Sequence, residues 1–179
     1  MRSFLATSTK LNCVEDIFFG LDYHSHLGTK YGGMVVYDEE KGFQRQIHTI
    51  DTTPFRTKFN KDLNEFHGNS GIGCISDTDP QPLVVRSHLG LYAITTVGII
   101  TNTDAIVDKF FKEGKTHFMT MSSGKINSTE LVAAIINEKD TLVEGIRHAQ
   151  EIIEGSMTML ILTEDGKILA ARDRLGRLP

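Results

Sequence analysis

Few residues in this chain are of the kinds that do chemistry, and spacing narrows them further. There are two cysteines, Cys13 and Cys74, and seven histidines. A cysteine acts as a nucleophile only as its thiolate, which needs a nearby cation, base or free amine. Cys13 follows Asn12 at what reads as a helix start. Cys74 lies in Gly71-Ile72-Gly73-Cys74-Ile75, a Gly-flanked strand where a cysteine behaves as a small hydrophobe. His24 and His26 are two apart, so on a helix they do not share a face as i, i+4 metal ligands would. His48, His67, His88, His117 and His148 are scattered and expected on surface or turns. Asp38-Glu39-Glu40 reads as a solvated turn, not a catalytic carboxylate pair. These residues imply no metal and no cofactor.

The elements that must position any site are legible from periodicity. Ser156 to Pro179 gives the clearest signal: Met157 to Thr163 is an apolar run of strand length, Glu164-Asp165-Gly166 a reversing turn, and Ile168 to Arg172 a returning strand. Runs apolar on both faces predict a sheet covered on both sides. Earlier in the chain, Met1 to Thr9, Met34 to Tyr37, Phe43 to Ile50, Gly71 to Ile75, Leu83 to Val85 and Leu91 to Ile100 read as strands. Val14, Ile17, Phe18 and Leu21 form one helical stripe, and Asn12 with Glu15 suggests its cap. Thr53-Pro54 starts a second helix with Phe55, Phe59, Leu63 and Phe66 inward. Asn102 is expected to cap a third, with Ile106, Val107, Phe110 and Phe111 inward. Asn127-x-x-Glu130 and Thr141-x-x-Glu144 are capping-box patterns opening two more helices. Thr116 to Lys125 reads as loop. Strands come in pairs and helices in pairs, without βαβ alternation, which predicts segregated α+β layers rather than a doubly wound sheet.

Composition sets the bounds. At 179 residues and 40% apolar, one domain with a sizeable core is expected. A formal net charge of −4, with scattered basic residues, gives no case for nucleic acid or an anionic membrane. Two unpaired cysteines fit a reducing cytoplasm, and no apolar run reaches transmembrane length. Leu175-Gly176-Arg177-Leu178-Pro179 opens a segment the chain does not finish, so residues 1–179 read as a domain cut from a longer protein.

Several short patterns in order resemble one family. The closing hairpin is similar to the E-G-(x)n-L-I-L-T-x-D-G-x-I-x-A-A-R-D-x-x-G pattern that ends the glutaminase half of amidophosphoribosyltransferases. His26-Leu27-Gly28 with Tyr31-Gly32-Gly33 resembles the family's H-R-G segment, and Gly71-Ile72-Gly73 its G-x-G-H-x-R-Y strand. Gln81-Pro82-Leu83-Val84-Val85 resembles Q-P-F-V-V, Gly98 to Asn102 the H-N-G-x-x-x-N stretch, and Asn127 to Glu130 the T-S-D-T-E stretch. The resemblance covers nearly the whole chain.

It implies a class II glutamine amidotransferase domain, of purine biosynthesis, in the four-layer αββα sandwich of N-terminal-nucleophile hydrolases. The family's chemistry uses an N-terminal cysteine whose own α-amine is the base, an oxyanion hole, and an arginine and an aspartate for the substrate's ends. Carried over by position, the nucleophile falls on Arg2, where Met1 is expected to stay on. The substrate arginine falls on Ser76 and the tyrosine after it on Asp77. The oxyanion asparagine falls on Val97, with only its backbone partner Gly98 kept, and the ammonium-binding aspartate falls on Ser128. This implies a fold kept after glutaminase activity was lost. The implied role is structural or regulatory, against a phosphoribosyltransferase-like domain beyond Pro179 and compatible with a homo-oligomer. Two other readings stay open: an active amidotransferase, through Cys13 for example, or a small-anion binding module using Arg2 and the Gly98 N–H.

Overall fold

Strand alternation divides the apolar residues of this chain among three separate cores. The computed structural model describes residues 3–114, 118, 121–122 and 125–176. One antiparallel sheet runs in the order β1-β4-β2-β3, from β1 (Ser3–Ser8), β2 (Tyr31–Asp38), β3 (Gly42–Thr49) and β4 (Ser70–Ser76). The other runs β10-β9-β6-β5, from β5 (Leu83–Ser87), β6 (Gly90–Ile100), β9 (Gly155–Thr163) and β10 (Ile168–Arg172). Between them in the chain come α1 (Val14–His24), α2 (Phe55–Phe59), α3 (Thr103–Glu113), α4 (Ser128–Ile136) and α5 (Leu142–Ile152). A two-residue pair, β7 (Met121–Ser122) and β8 (Lys125–Ile126), completes the described elements.

Successive strand residues face opposite ways, and each sheet uses both faces. On β2, Met34 and Val36 pack against α1 and α2, while Val35 and Tyr37 join the cluster between the sheets. On β9, Met157, Met159 and Ile161 face α3–α5, while Leu160 and Leu162 face the opposite sheet. The expected two-sided cover of the closing hairpin is therefore present, and the layers stack helix, sheet, sheet, helix. Close packing of the first pair requires Gly71 and Gly73 on β4. A Cβ there would lie 2.3 Å from Ile17 and 2.4 Å from Leu21 of α1, well inside contact distance.

Local signals hold at some ends and fail at others. Asn127 caps α4, accepting from the N–H groups of Thr129 and Glu130, and Thr141 caps α5 through Glu144. The capping box at Asn12 is absent: α1 starts one residue later, with Cys13 in the cap position and no side-chain cap. Asn102 stands at the α3 cap position but its amide goes elsewhere, Nδ2 donating to the Ile152 carbonyl and Oδ1 accepting from Glu154 N–H. Phe111, expected inward, is exposed, because only Phe110 falls on the buried stripe of α3. The helix after Pro54 stops at Phe59, five residues long, although Phe66 is still buried beyond it. The stretch expected as loop between Thr116 and Lys125 holds β7, and Lys125 opens β8.

Candidate functional site

Position 81 ties β6 to the start of α4 beside a cleft. The Gln81 side chain is fully buried. Its Oε1 accepts from Thr95 Oγ1 at 2.9 Å, Thr96 N–H at 2.8 Å and Thr129 Oγ1 at 2.9 Å, and its Nε2 donates to the Thr96 carbonyl at 3.0 Å. β5 pairs with β6 only as far as Leu83 opposite Ile94. Beyond that point the Gln81 amide replaces a strand at Thr96, and among the described residues no strand pairs with the rest of that β6 edge.

The direction of the open edge follows from the ladder. Odd-numbered residues of β6 bond to β9, as the Glu164 N–H to Leu91 O and Thr101 N–H to Glu154 O bonds show at its two ends. Even-numbered residues point the other way, as Thr96 does toward Gln81. Gly98 N–H is therefore aimed off the open edge into a cleft of about 770 Å³. The cleft is walled by Asp77, Thr78 and Asp79, by Gly98 to Thr101, by Thr103, Asp104 and Val107 of α3, and by Lys125, Ile126 and Ser128 around the start of α4.

Of the positions singled out by resemblance, Asp77, Gly98 and Ser128 line this cleft. Ser76, at the end of β4, is fully buried, and its hydroxyl accepts from the N–H groups of Thr78 and Asp79, both at 3.3 Å. Val97 is half-buried and points, like Ala93, to the face between the sheets. Arg2 lies outside the described residues, and so do Pro179 and His117. Asp77 accepts from Thr29 N–H at 2.7 Å and Thr29 Oγ1 at 3.2 Å. Burial acts to raise its carboxyl, but the hydrogen bonds it accepts, Thr29's included, outweigh that and hold it below the usual carboxylate range.

Sequence reasoning missed Asp79, which is nearly buried and accepts from Ser128 Oγ at 2.7 Å. The cleft thus carries the carboxylates of Asp77, Asp79 and Asp104 against the amines of Lys30 and Lys125, and Lys30 lies over the Tyr31 ring at 5.2 Å. No local pattern marks Asp79 or Gln81, because their partners lie far away in the chain.

The other candidates fall away from the cleft. Cys13 is fully buried at the start of α1. Burial pushes its thiol up to about 11, the main opposing influence being a backbone hydrogen bond. At pH 8 roughly one molecule in a thousand would then hold the reactive thiolate. Native protein is expected to resist iodoacetamide at Cys13 for hours at pH 8 and to react fully in denaturant, as peptide mass spectrometry would show. Rapid native alkylation would contradict that burial. Cys74 is buried between the sheets with Sγ donating to the Gln81 carbonyl at 3.3 Å. His48 lies on β3, not on a turn, and pairs with Asp62 at 2.5 Å, while His148 on α5 pairs with Glu138 at 3.0 Å. Among the described residues no group of histidines, cysteines and carboxylates is arranged to hold a metal ion, and no helix is long and apolar enough to cross a membrane. Asp38 closes the acidic turn by accepting from the N–H groups of Glu40 and Lys41.

Two antiparallel sheets facing each other, flanked by helices, with a cleft at the open end of β6, define the N-terminal-nucleophile hydrolase architecture. The match to solved structures is direct. The fold overlays with a TM-score of 0.80 on the glutamine phosphoribosylpyrophosphate amidotransferase of Bacillus subtilis, 23% identical over 97% of this chain and 37% of that one. A structure described as the allosteric regulatory enzyme of purine biosynthesis gives 0.81, at 22% identity, covering 98% of this chain and 38% of that one. In sequence, the chain is 25% identical to the amidophosphoribosyltransferase of Methanocaldococcus jannaschii over 178 residues, covering 95% of the chain. It is 27% identical to that of Archaeoglobus fulgidus over 170 residues. It spans 36% of the length of each of these two relatives. The sequence profile of the glutamine amidotransferase domain matches residues 69–179, and the chain belongs to that family.

Proposed function

We propose that this chain is the amidotransferase-like part of an amidophosphoribosyltransferase-like protein, of the class II type, whose cleft no longer hydrolyses glutamine. Its role is then structural or regulatory, in the cytoplasm, beside a phosphoribosyltransferase-like domain such as the added length of its relatives suggests. The reading rests above all on the charge of the cleft wall where the resemblance puts a substrate-binding arginine. Ser76 stands there with its hydroxyl turned inward, and the next residues, Asp77 and Asp79, face the cleft with carboxylates.

An arginine offers a carboxylate two parallel charge-assisted hydrogen bonds. A carboxylate wall does the reverse. Where its charge is not met by a neighbouring cation, a carboxylate there repels the substrate's carboxylate instead. Val97 adds a second deficit. A missing oxyanion-hole donor typically costs about 10²–10³ in rate, and valine has no donor to give. Gly98 N–H alone leaves the developing oxyanion half-supported.

The test is glutamate release from glutamine by the purified protein, followed with a coupled dehydrogenase assay, alongside labelling with an oxo-norleucine electrophile. Release at the level of a protein-free control, and no labelled peptide, are expected. Steady turnover, or a label mapped to one side chain, would overturn the reading.

A further inference from the structure

The corner where residues 76–80 meet the start of α4 is held from both sides. Ser128 Oγ donates to Asp79 Oδ2 at 2.7 Å, and Asn127 Nδ2 donates to the Pro80 carbonyl at 3.2 Å. From below, Ser76 Oγ accepts from the N–H groups of Thr78 and Asp79. The same Asn127 amide caps α4 through its oxygen, at 2.8 Å from Thr129 N and 3.3 Å from Glu130 N, and its side chain is fully buried. One side chain thus starts the helix and grips the loop, so the loop follows the helix. A carboxylate acceptor makes the Ser128 bond one of the stronger kind.

We propose that these contacts form a standing latch that fixes the cleft wall at residues 76–80 to the start of α4 with the chain's own groups. Ser128 is the position that resemblance assigns to a substrate's ammonium, and its hydroxyl is turned onto Asp79 rather than to the cleft. The corner is satisfied from within, whether or not a ligand is present. The identity of this corner rests on the function proposed above; the latch itself rests on the hydrogen bonds.

Amide hydrogen exchange on the full chain, read residue by residue by NMR, tests this. In the unaltered protein, the amides of Thr78 and Asp79 should exchange at least tenfold more slowly than an open peptide. Ser128→Ala should raise their exchange about tenfold while the amides of Ala133 to Ile136 in α4 stay protected. Asn127→Asp keeps the cap acceptor and loses the donor to Pro80, so it should give the same local rise. The double exchange Asp79→Ser with Ser128→Asp keeps a hydroxyl–carboxylate bond between the two positions and should restore protection. Open-peptide exchange in the unaltered protein, no change in Ser128→Ala, or a rise that spreads through α4 would each overturn the latch. So would failure of the double exchange to restore protection. Glutamine turnover by the unaltered protein would instead remove the functional reading and leave these exchange results intact.

Discussion

Gln81→Leu is expected to destabilise the protein by about 3–6 kcal/mol, lowering its melting temperature by roughly 10–20 °C. Leucine nearly matches glutamine in size, so the change isolates the hydrogen bonds. Four of them go at once: the acceptor to Thr95, Thr96 N–H and Thr129, and the donor to the Thr96 carbonyl. Thr129 keeps a partner, since its hydroxyl also meets Thr96 Oγ1 at 2.7 Å. The Thr96 backbone groups keep none nearby, and a buried polar group left without a partner costs about 1–3 kcal/mol. Against a typical total stability of about 5–15 kcal/mol, the loss is large. Gln150→Leu is the control: that exposed amide donates only to the Arg172 carbonyl, and its loss should stay within about 1 kcal/mol. Denaturant unfolding of both variants, compared at constant slope, checks the difference. Equal effects would mean that Gln81 is not the tie between β6 and α4.

The contrast between Gln81 and the strands around it shows what a sequence can display. Met157 to Thr163 announces itself because apolar side chains on successive residues need two covered faces, a local fact with a local cause. The caps at Asn127 and Thr141 are equally local, since side chain and amide lie within three residues of each other. Phe111 was misplaced for the opposite reason. Periodicity alone cannot separate Phe110 from its neighbour, and the packing of Phe110 settles which of the two goes in. The second helix is shorter than Leu63 and Phe66 suggest, because both reach the core from the irregular segment after Phe59. Asn102 has a cap's residue type, but distant backbone groups in the segment before β9 compete for its amide and win. The site was legible only through resemblance: it gave Ser76, Asp77, Gly98 and Ser128 as a set, but not Asp79, whose partnership with Ser128 spans 49 positions.

Gly98→Ala is expected to cost about 3 kcal/mol or more, while Val97→Asn beside it should cost about 1 kcal/mol or less. Gly98 holds φ at +154°, and a Cβ there would lie 2.1 Å from the Ser156 carbonyl oxygen and 2.8 Å from Met157 Cα. Both are backbone atoms of the neighbouring strand, so no side chain can swing aside, and β6 must part from β9 at this end. Amides of Val97 and Ile99, which bond toward β9, should then exchange faster, and thermal unfolding should move down with them. Val97 is half-buried in an extended strand, so an asparagine there keeps partial contact with water. This asymmetry bears on the chemistry. A glycine that packing demands would stand at position 98 whether or not an oxyanion ever formed beside it, so its presence is no sign of catalysis. The side chain at 97 meets no such backbone limit, and it is the position that resemblance assigns to the oxyanion-hole donor. Val97→Asn restores the residue type that resemblance expects, but on the face between the sheets, and it brings neither an arginine at Ser76 nor relief from Asp77 and Asp79. It should therefore fold normally and still release no glutamate. Turnover appearing in that single variant would show that the carboxylate wall admits glutamine after all.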